Sequence, residues 1–313
     1  MEILIQNGVH EVSMQRLTFG PNNFDKKEDI PHYEKLLDMY IDAGGKSLDT
    51  ARLYSGGFTE TVIGSWMQKR KNRDQLIITT KGGHPPVSDM TRSRLDRNSI
   101  FSDMKESLAA LQIDDTDVYL LHRDDRNIPV GEIVDTLDEL VKAGYAKICG
   151  VSNWGTDRII EANAYAKANG KATVGVSQIN FSLAETTPET IGDKTLVCMK
   201  ETEYAVYAEQ NIPVMAFSAQ AKGFFAKYAA GEMLSEKAKG RFFSEKNEAR
   251  AKRVIEVSKE TGISPAAVAL CYLTCNPLPT SAVFSCRTEA QMADSLTAMQ
   301  ARLDADTIAY LKG

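Results

Sequence analysis

What most constrains this chain is an alternation that runs its whole length. Short β-branched or apolar runs recur, and longer stretches with helical spacing separate them. The runs end near Phe19, Thr50, Thr80, Leu121, Val151, Gln178, Phe217 and Phe284, which makes eight. Helical spacing covers about 30–43, 58–70, 98–111, 130–143, 155–169, 196–210 and 247–261. Ser99 and Ser264-Pro265 act as start signals, the latter for a second helix over 265–274. Strand and helix repeated in this way predict a parallel sheet. With no Pro/Ser-rich linker, composition shift or internal repeat in 313 residues, eight such units predict one closed (β/α)8 TIM barrel, an α/β fold forming a single domain over 1–313. Residues 1–15 precede the first strand and predict a hairpin over the barrel floor. Residues 218–246 form a long insertion after the seventh strand, and 303–312 a terminal helix.

Charge and apolar patterning exclude several classes. The net charge is −5 and the basic residues are scattered, the densest run being Lys69-Arg70-Lys71-Asn72-Arg73, so no nucleic-acid surface is expected. The longest apolar run, Pro265 to Leu273, is about half the ~18 residues a membrane span needs. Met1-Glu2-Ile3-Leu4-Ile5-Gln6 lacks the basic-then-apolar order of an export signal. Cys149, Cys198, Cys271, Cys275 and Cys286 are an odd number in mostly apolar surroundings, read as reduced, buried thiols of a cytoplasmic protein. His10, His32, His84 and His122 are each isolated, so no metal cluster is expected. A monomer and a homo-oligomer both stay open.

In a barrel enzyme the reacting groups stand where strands end. Here Asp49 and Tyr54 follow the second strand, Lys81 the third and His122 the fourth; Ser152-Asn153-Trp154 follow the fifth, Gln178 ends the sixth, Phe217-Ser218 the seventh, and Ser285-Cys286-Arg287 follow the eighth. An Asp, a Tyr, a Lys and a His on three successive strand ends point to proton transfer. A phenol is a poor acid near neutral pH, and a nearby ammonium would lower its pKa. Lys81 is expected to do this for Tyr54, Asp49 to hold Lys81 charged, and His122 to orient a carbonyl. Taken singly, each has a structural explanation: a buried ion pair, a packed ring, a satisfied rim histidine.

Together these residues resemble an aldo-keto reductase over nearly the whole chain. Leu48-Asp49-Thr50-Ala51-Arg52-Leu53-Tyr54 is similar to that family's D-T-A-x-x-Y, Thr79-Thr80-Lys81-Gly82 to its T-K strand end, and Leu120-Leu121-His122 to its L-x-H. Gly150-Val151-Ser152-Asn153 is similar to G-V-S-N, and Gln178 with Asn180 to the following Q-x-N step. The resemblance implies catalysis by Asp49, Tyr54, Lys81 and His122. It also implies a nicotinamide cofactor laid across the barrel top, NADP(H) preferred and NAD(H) possible, with no G-x-G-x-x-G. Ser152, Asn153 and Gln178 match the residues that hold the carboxamide, with Asp49 beside them. Phe217 stands where the family usually stacks a Tyr on the nicotinamide. Ser218, Gln220 and Gly223 match the loop closing over the pyrophosphate, and Ser285, Arg287, Gln291 and Ser295 the adenosine-phosphate motif, with Ser285 in place of Gly and Ser295 in place of Asn. Gly20, followed by Pro21 and Asn22, stands where G-T-x is frequent, so a Thr hydroxyl is missing.

The implied activity is hydride transfer between NADP(H) and the carbonyl of a small aldehyde or ketone, a sugar or sugar derivative being favoured because little chain follows the last helix to wall in a large ligand. His84, Arg123 and Trp154 are the expected substrate contacts, with Asp124 and Asp125 beside Arg123. Two other readings compete. A cofactor-bound regulatory subunit resembling potassium-channel β-subunits would co-purify with a partner and show negligible turnover. A Schiff-base aldolase built on Lys81 would be trapped by borohydride, though an Asp49 partner should keep Lys81 protonated.

Overall fold

Eight parallel strands close on themselves in the computed structural model, which describes residues 1–313. A hairpin precedes them, β1 (Glu2–Gln6) and β2 (Glu11–Gln15). The barrel strands are β3 (Leu17–Phe19), β4 (Ser47–Asp49), β5 (Ile77–Gly82), β6 (Thr116–Leu121), β7 (Ala146–Ser152), β8 (Ser177–Asn180), β9 (Val214–Phe217) and β10 (Thr280–Phe284), and β10 pairs with β3 to complete the ring. The (β/α)8 reading and all eight predicted strands are therefore present, each strand ending within two residues of its expected position.

Side chains alternate across each strand, and the alternation builds two cores. On β6, Tyr119 and Leu121 face outward into the layer between sheet and helices, whereas Val118 and Leu120 face the barrel axis. The inward set continues in Ile148, Val176, Met215 and Val283 and is closed below by Ile3, Ile5, Val12 and Met14 of the hairpin. That hairpin is the expected floor. It is anchored by Asn7 Nδ2 donating to the Lys147 carbonyl at 3.0 Å. The same parity carried upward places the next inward positions at the rim, and there the residues change character: Gly20, Asp49, Lys81, His122, Ser152, Gln178, Phe217 and Ser285.

The outer helices are α1 (Ile30–Asp42), α2 (Phe58–Arg70), α3 (Arg97–Leu111), α4 (Val130–Lys142), α5 (Thr156–Ala168), a single turn α6 (Pro188–Ile191), α7 (Glu201–Glu209), α8 (Phe224–Ala229), α9 (Glu236–Phe242), α10 (Glu245–Thr261), α11 (Pro265–Thr274), α12 (Glu289–Gln300) and α13 (Ala305–Lys312). Four departures from the sequence reading have physical causes. The helix expected over 196–210 begins only at Glu201, because 197–199 run extended beside the end of β8, with Asn180 N–H donating to the Val197 carbonyl at 3.0 Å and Met199 N–H to Asn180 at 2.8 Å. The start of α3 is capped not by Ser99 but by Asp96, whose carboxylate accepts the Ser99 N–H at 3.0 Å. The terminal helix starts at Ala305 because Asp304 caps it. α12, absent from the predicted helices, is capped by Thr288. Ser264 caps α11 as expected, with Pro265 in its first turn.

The long insertion leaves the end of β9 as a 3-10 turn at Ala221–Gly223 followed by α8 and α9, with α8 packed on α10 and α11 and buried Phe224, Phe225 and Phe242 pinning it. All five cysteines are free, Cys275 being only partly buried. No helix is long and apolar enough to cross a membrane.

Candidate active site

Lys81 enters the barrel axis from β5 and is completely buried. Its Nζ donates to Asp49 Oδ1 and Oδ2 at 2.9 and 2.8 Å and to the Thr50 carbonyl at 2.7 Å, so all three ammonium protons are used. Gln178 Nε2 gives the Asp49 carboxylate a third hydrogen bond, reaching Oδ1 at 2.9 Å. Burial alone would lower the Lys81 pKa, but Asp49 and Tyr54 outweigh it and the group is held above its ordinary value. A lysine so held is a poor imine-forming nucleophile, which removes support from the aldolase reading.

The Tyr54 ring centroid lies 5.1 Å from Lys81 Nζ and 6.0 Å from the His122 ring. Lys81 lowers the phenol pKa, as expected, yet burial raises it by more and Asp49 adds to the rise, so the net shift is upward. The expectation of a more acidic phenol is corrected: Tyr54 keeps its proton at neutral pH. His122, next inward on β6, moves the other way, its pKa pushed well below 6.5 first by burial and then by Lys81, Arg123 and His84. It is neutral, and its Nδ1 is buried without a partner.

Local backbone explains how Tyr54 reaches this place. After β4 the chain passes through three consecutive left-handed residues, Ser55, Gly56 and Gly57, with φ of 50°, 62° and 89°. A Cβ on Gly57 would run into the Arg52 guanidinium. Arg52 Nη1 donates to Glu60 Oε2 at 2.7 Å, and Thr80 Oγ1 donates to the other oxygen of the same carboxylate at 2.7 Å. This buried brace ties the Tyr54 turn to the start of α2 and to β5. The sequence reading did not identify it, although Arg52 and Glu60 flanking a Gly-Gly pair were visible.

The other expected residues fall into two groups. Gly20, Ser152, Asn153, Gln178, Phe217 and Ser285 all stand at the rim. Gly20 N–H donates to Phe284 at 2.8 Å, and Ser285 faces Asn22 at 3.3 Å. Asn153, at φ 60°, donates from Nδ2 to Ser152 Oγ at 2.9 Å. Ser218, Gln220 and Gly223 begin the insertion, Gln220 Nε2 donating to Ser295 Oγ at 2.9 Å; Gln291 accepts the Arg287 N–H at 2.8 Å. Arg287 itself is exposed and caps nothing, since Thr288 caps α12. Lys222 is shifted down by burial and by three cations, Arg241, Lys237 and Arg287, with no acid among the causes. Such a set suits a ligand carrying phosphates, so the chemistry of these donors fits the expected cofactor. Lys222, Lys237 and Arg241 are additions to the sequence reading, because their meeting depends on how the insertion folds.

On the substrate side, His84 stacks edge-on to His122 at 4.9 Å, and Arg123 lies beside it. Two expectations are corrected here. Trp154 is only 1% exposed; rather than offering an open wall, it donates Nε1–H to the Arg123 carbonyl at 3.1 Å with Arg158 over its ring. Asp124 and Asp125 do not accompany Arg123, because Asp124 turns to Arg158 at 3.5 Å and Asp125 accepts from Asn127.

Comparison with known proteins identifies the family and the fold. The model of the aldo/keto reductase family matches residues 16–313. The chain is 27% identical over 312 residues to the uncharacterized oxidoreductase YrpG of Bacillus subtilis, covering 95% of this chain and 91% of that one. It is 34% identical to norsolorinic acid reductase A of Aspergillus parasiticus over 155 residues, 48% of this chain and 40% of the relative. An aldo/keto reductase from Klebsiella pneumoniae, solved with NADP and acetate, shares the fold at a TM-score of 0.73 and 20% identity, over 99% of this chain and 94% of its own.

Proposed function

The chain belongs to the aldo/keto reductase family, and from that premise we propose that it reduces the carbonyl of a small aldehyde or ketone, a sugar or sugar derivative in the favoured case, using NADP(H) in preference to NAD(H). The observation that carries the reading is the arrangement around Tyr54: a protonated phenol between a fixed ammonium and a neutral imidazole.

When bound, a reduced nicotinamide supplies the hydride. Ser152, Asn153, Gln178 and Phe217 are the residues to hold its amide end. Ser218, Gln220, Gly223, Lys222, Lys237 and Arg241 would take its phosphates, and Gly20, Ser285, Arg287, Gln291 and Ser295 its adenosine end. Tyr54 Oη gives its proton to the oxygen of the carbonyl as that oxygen gains charge, which turns C=O into CH–OH. Lys81, locked by Asp49, stabilises the phenolate left behind. His122, neutral, orients the carbonyl oxygen. The five free thiols, four of them buried, support a cytoplasmic location within the same reading.

A panel of aldehydes, ketoses and keto acids, followed by reduced-cofactor absorbance, tests it. Reduction requires Tyr54 protonated and His122 neutral. The raised phenol pKa and the lowered imidazole pKa both lie outside the neutral range, so the rate should be flat between about pH 7 and 9. No turnover on any member, or a single ionisation near pH 8 that halves the rate, would overturn the reading.

A further inference from the structure

We infer that Arg123 is an anion-recognition group in the substrate pocket and that the preferred carbonyl compound carries a carboxylate near its carbonyl. The inference rests on the reductase reading and names the substrate class of that site.

The first argument is donor accounting. Arg123 directly follows His122, and its side chain is only 11% exposed. Of its five N–H groups, Nε–H goes to Thr195 Oγ1 at 3.0 Å and one Nη1–H to the His122 carbonyl at 2.8 Å. The remaining three have only Asp193 Oδ2, at a long 3.4 Å. Asp193 is a half-committed counter-ion, because its Oδ1 already accepts the Thr195 N–H at 2.9 Å and the Thr195 hydroxyl at 2.6 Å.

The second argument is charge. Besides burial, the groups that act on His122 are Lys81, Arg123 and His84, with no acid among them. The one carboxylate acting on Tyr54 is Asp49, consumed by Lys81 and Gln178. Asp124 and Asp125, the acids nearest in sequence to Arg123, are turned to Arg158 and Asn127. Of the acids named, only Asp193 reaches the guanidinium, at the long 3.4 Å, so a neutral ligand entering beside the phenol would cover a guanidinium with unused donors. A carboxylate would accept two of them side by side. Trp154 Nε1–H, bonded to the Arg123 carbonyl, holds the mounting of the guanidinium in place.

Matched pairs that share a carbonyl and differ in charge provide the test: 4-oxobutanoate against butanal, and glyoxylate against propanal. In the wild type the acid of each pair should show kcat/KM at least ~10-fold above its neutral partner, the difference lying in KM, the scale of a charge-assisted bidentate contact. Arg123→Met should bring the ratio to within about threefold of one, and Arg123→Lys should keep part of it. Neutral aldehydes turned over as well as their acids by the wild type would overturn this inference and leave the reductase reading standing. So would an Arg123→Met variant that loses rate equally on both members, the signature of an Arg123–Asp193 pair with a structural role only. Turnover of neither member would overturn both.

Discussion

At the floor of the barrel, ten apolar side chains meet: Ile3, Ile5, Val12 and Met14 from the hairpin, and Val118, Leu120, Ile148, Val176, Met215 and Val283 from the strands. Two to four residues further along those same strands, the inward positions hold His122, Ser152, Gln178 and Phe217, joined by Asp49 and Lys81 from β4 and β5. One parity of one sheet therefore supplies a dry plug at one end and a polar cluster at the other. The floor needs only volume and apolarity, and its residues can exchange for others of similar shape. The rim needs particular groups in fixed partnerships, since a buried charge without its partner is expensive. Stability and chemistry are thereby assigned to opposite ends of the same strands.

The contrast is broken most severely by a substitution at the rim that also unfolds the protein. Lys81→Met leaves the Asp49 carboxylate buried with Gln178 as its remaining side-chain donor, at a cost of ~3–5 kcal/mol together with loss of activity. The double variant Asp49→Asn/Lys81→Met should recover most of that stability in denaturant titrations and none of the turnover. A double variant that loses the sum of the Asp49→Asn and Lys81→Met losses would show that the pair is uncoupled.

The floor gives the converse. Ile148→Ala removes a fully buried side chain from the plug and should cost ~2–5 kcal/mol, with KM and kcat of the surviving folded enzyme within about twofold of wild type. A shift in substrate KM well beyond that would mean the two ends are mechanically coupled. Tyr54→Phe tests the rim without disturbing the fold: turnover should fall at least ~10²-fold, equivalent to about 2.7 kcal/mol of activation barrier, while the melting midpoint stays where it was. Survival of turnover within threefold would remove Tyr54 from its role as acid.

This vertical division also decides what the sequence could disclose. Strand ends locate the rim residues, because the reacting groups of a barrel stand where strands give way to loops; Asp49, Lys81, His122, Ser152 and Gln178 were legible as polar residues at those ends and in the family's motifs. Contacts between distant loops were not. Arg123 and Asp193 are 70 residues apart, and only folding shows that the acids adjoining Arg123 point elsewhere. The extended stretch at 197–199 reads as helix because its pairing with Asn180 is tertiary. The sign of the Tyr54 shift was beyond reach for a similar reason: Lys81 and burial oppose each other, and the depth of burial is a property of the assembled barrel. Glu60 lies on an otherwise ordinary helix and is legible as a brace only once Arg52 and Thr80 converge on it.

The smallest expected effect concerns a part of the rim that, unlike the tetrad, has no internal partners. Arg287 follows β10 by three residues; its backbone N–H goes to Gln291 and its carbonyl to His32, while its side chain stands exposed and, with Lys237 and Arg241, acts on Lys222. The Lys81–Asp49 pair is complete without a ligand, whereas these cations repel one another until an anion joins them. If that anion is the adenosine 2′-phosphate, the wild type should prefer NADP(H) to NAD(H) by roughly ten- to a hundredfold in dissociation constant, equivalent to ~1.5–3 kcal/mol of charge-assisted pairing. Arg287→Ala should remove most of the preference and leave NAD(H) binding and the melting midpoint near their wild-type values, because no structural contact of the side chain is lost. Quenching of tryptophan fluorescence reads both constants, for which the buried Trp66 and Trp154 are the reporters. A raised salt concentration should shrink the NADP(H) preference in the wild type and leave the variant unmoved, since the contact is an exposed charge pair. A wild-type preference below threefold, or a variant whose preference is unchanged, would show that this side of the rim does not discriminate the cofactors through Arg287.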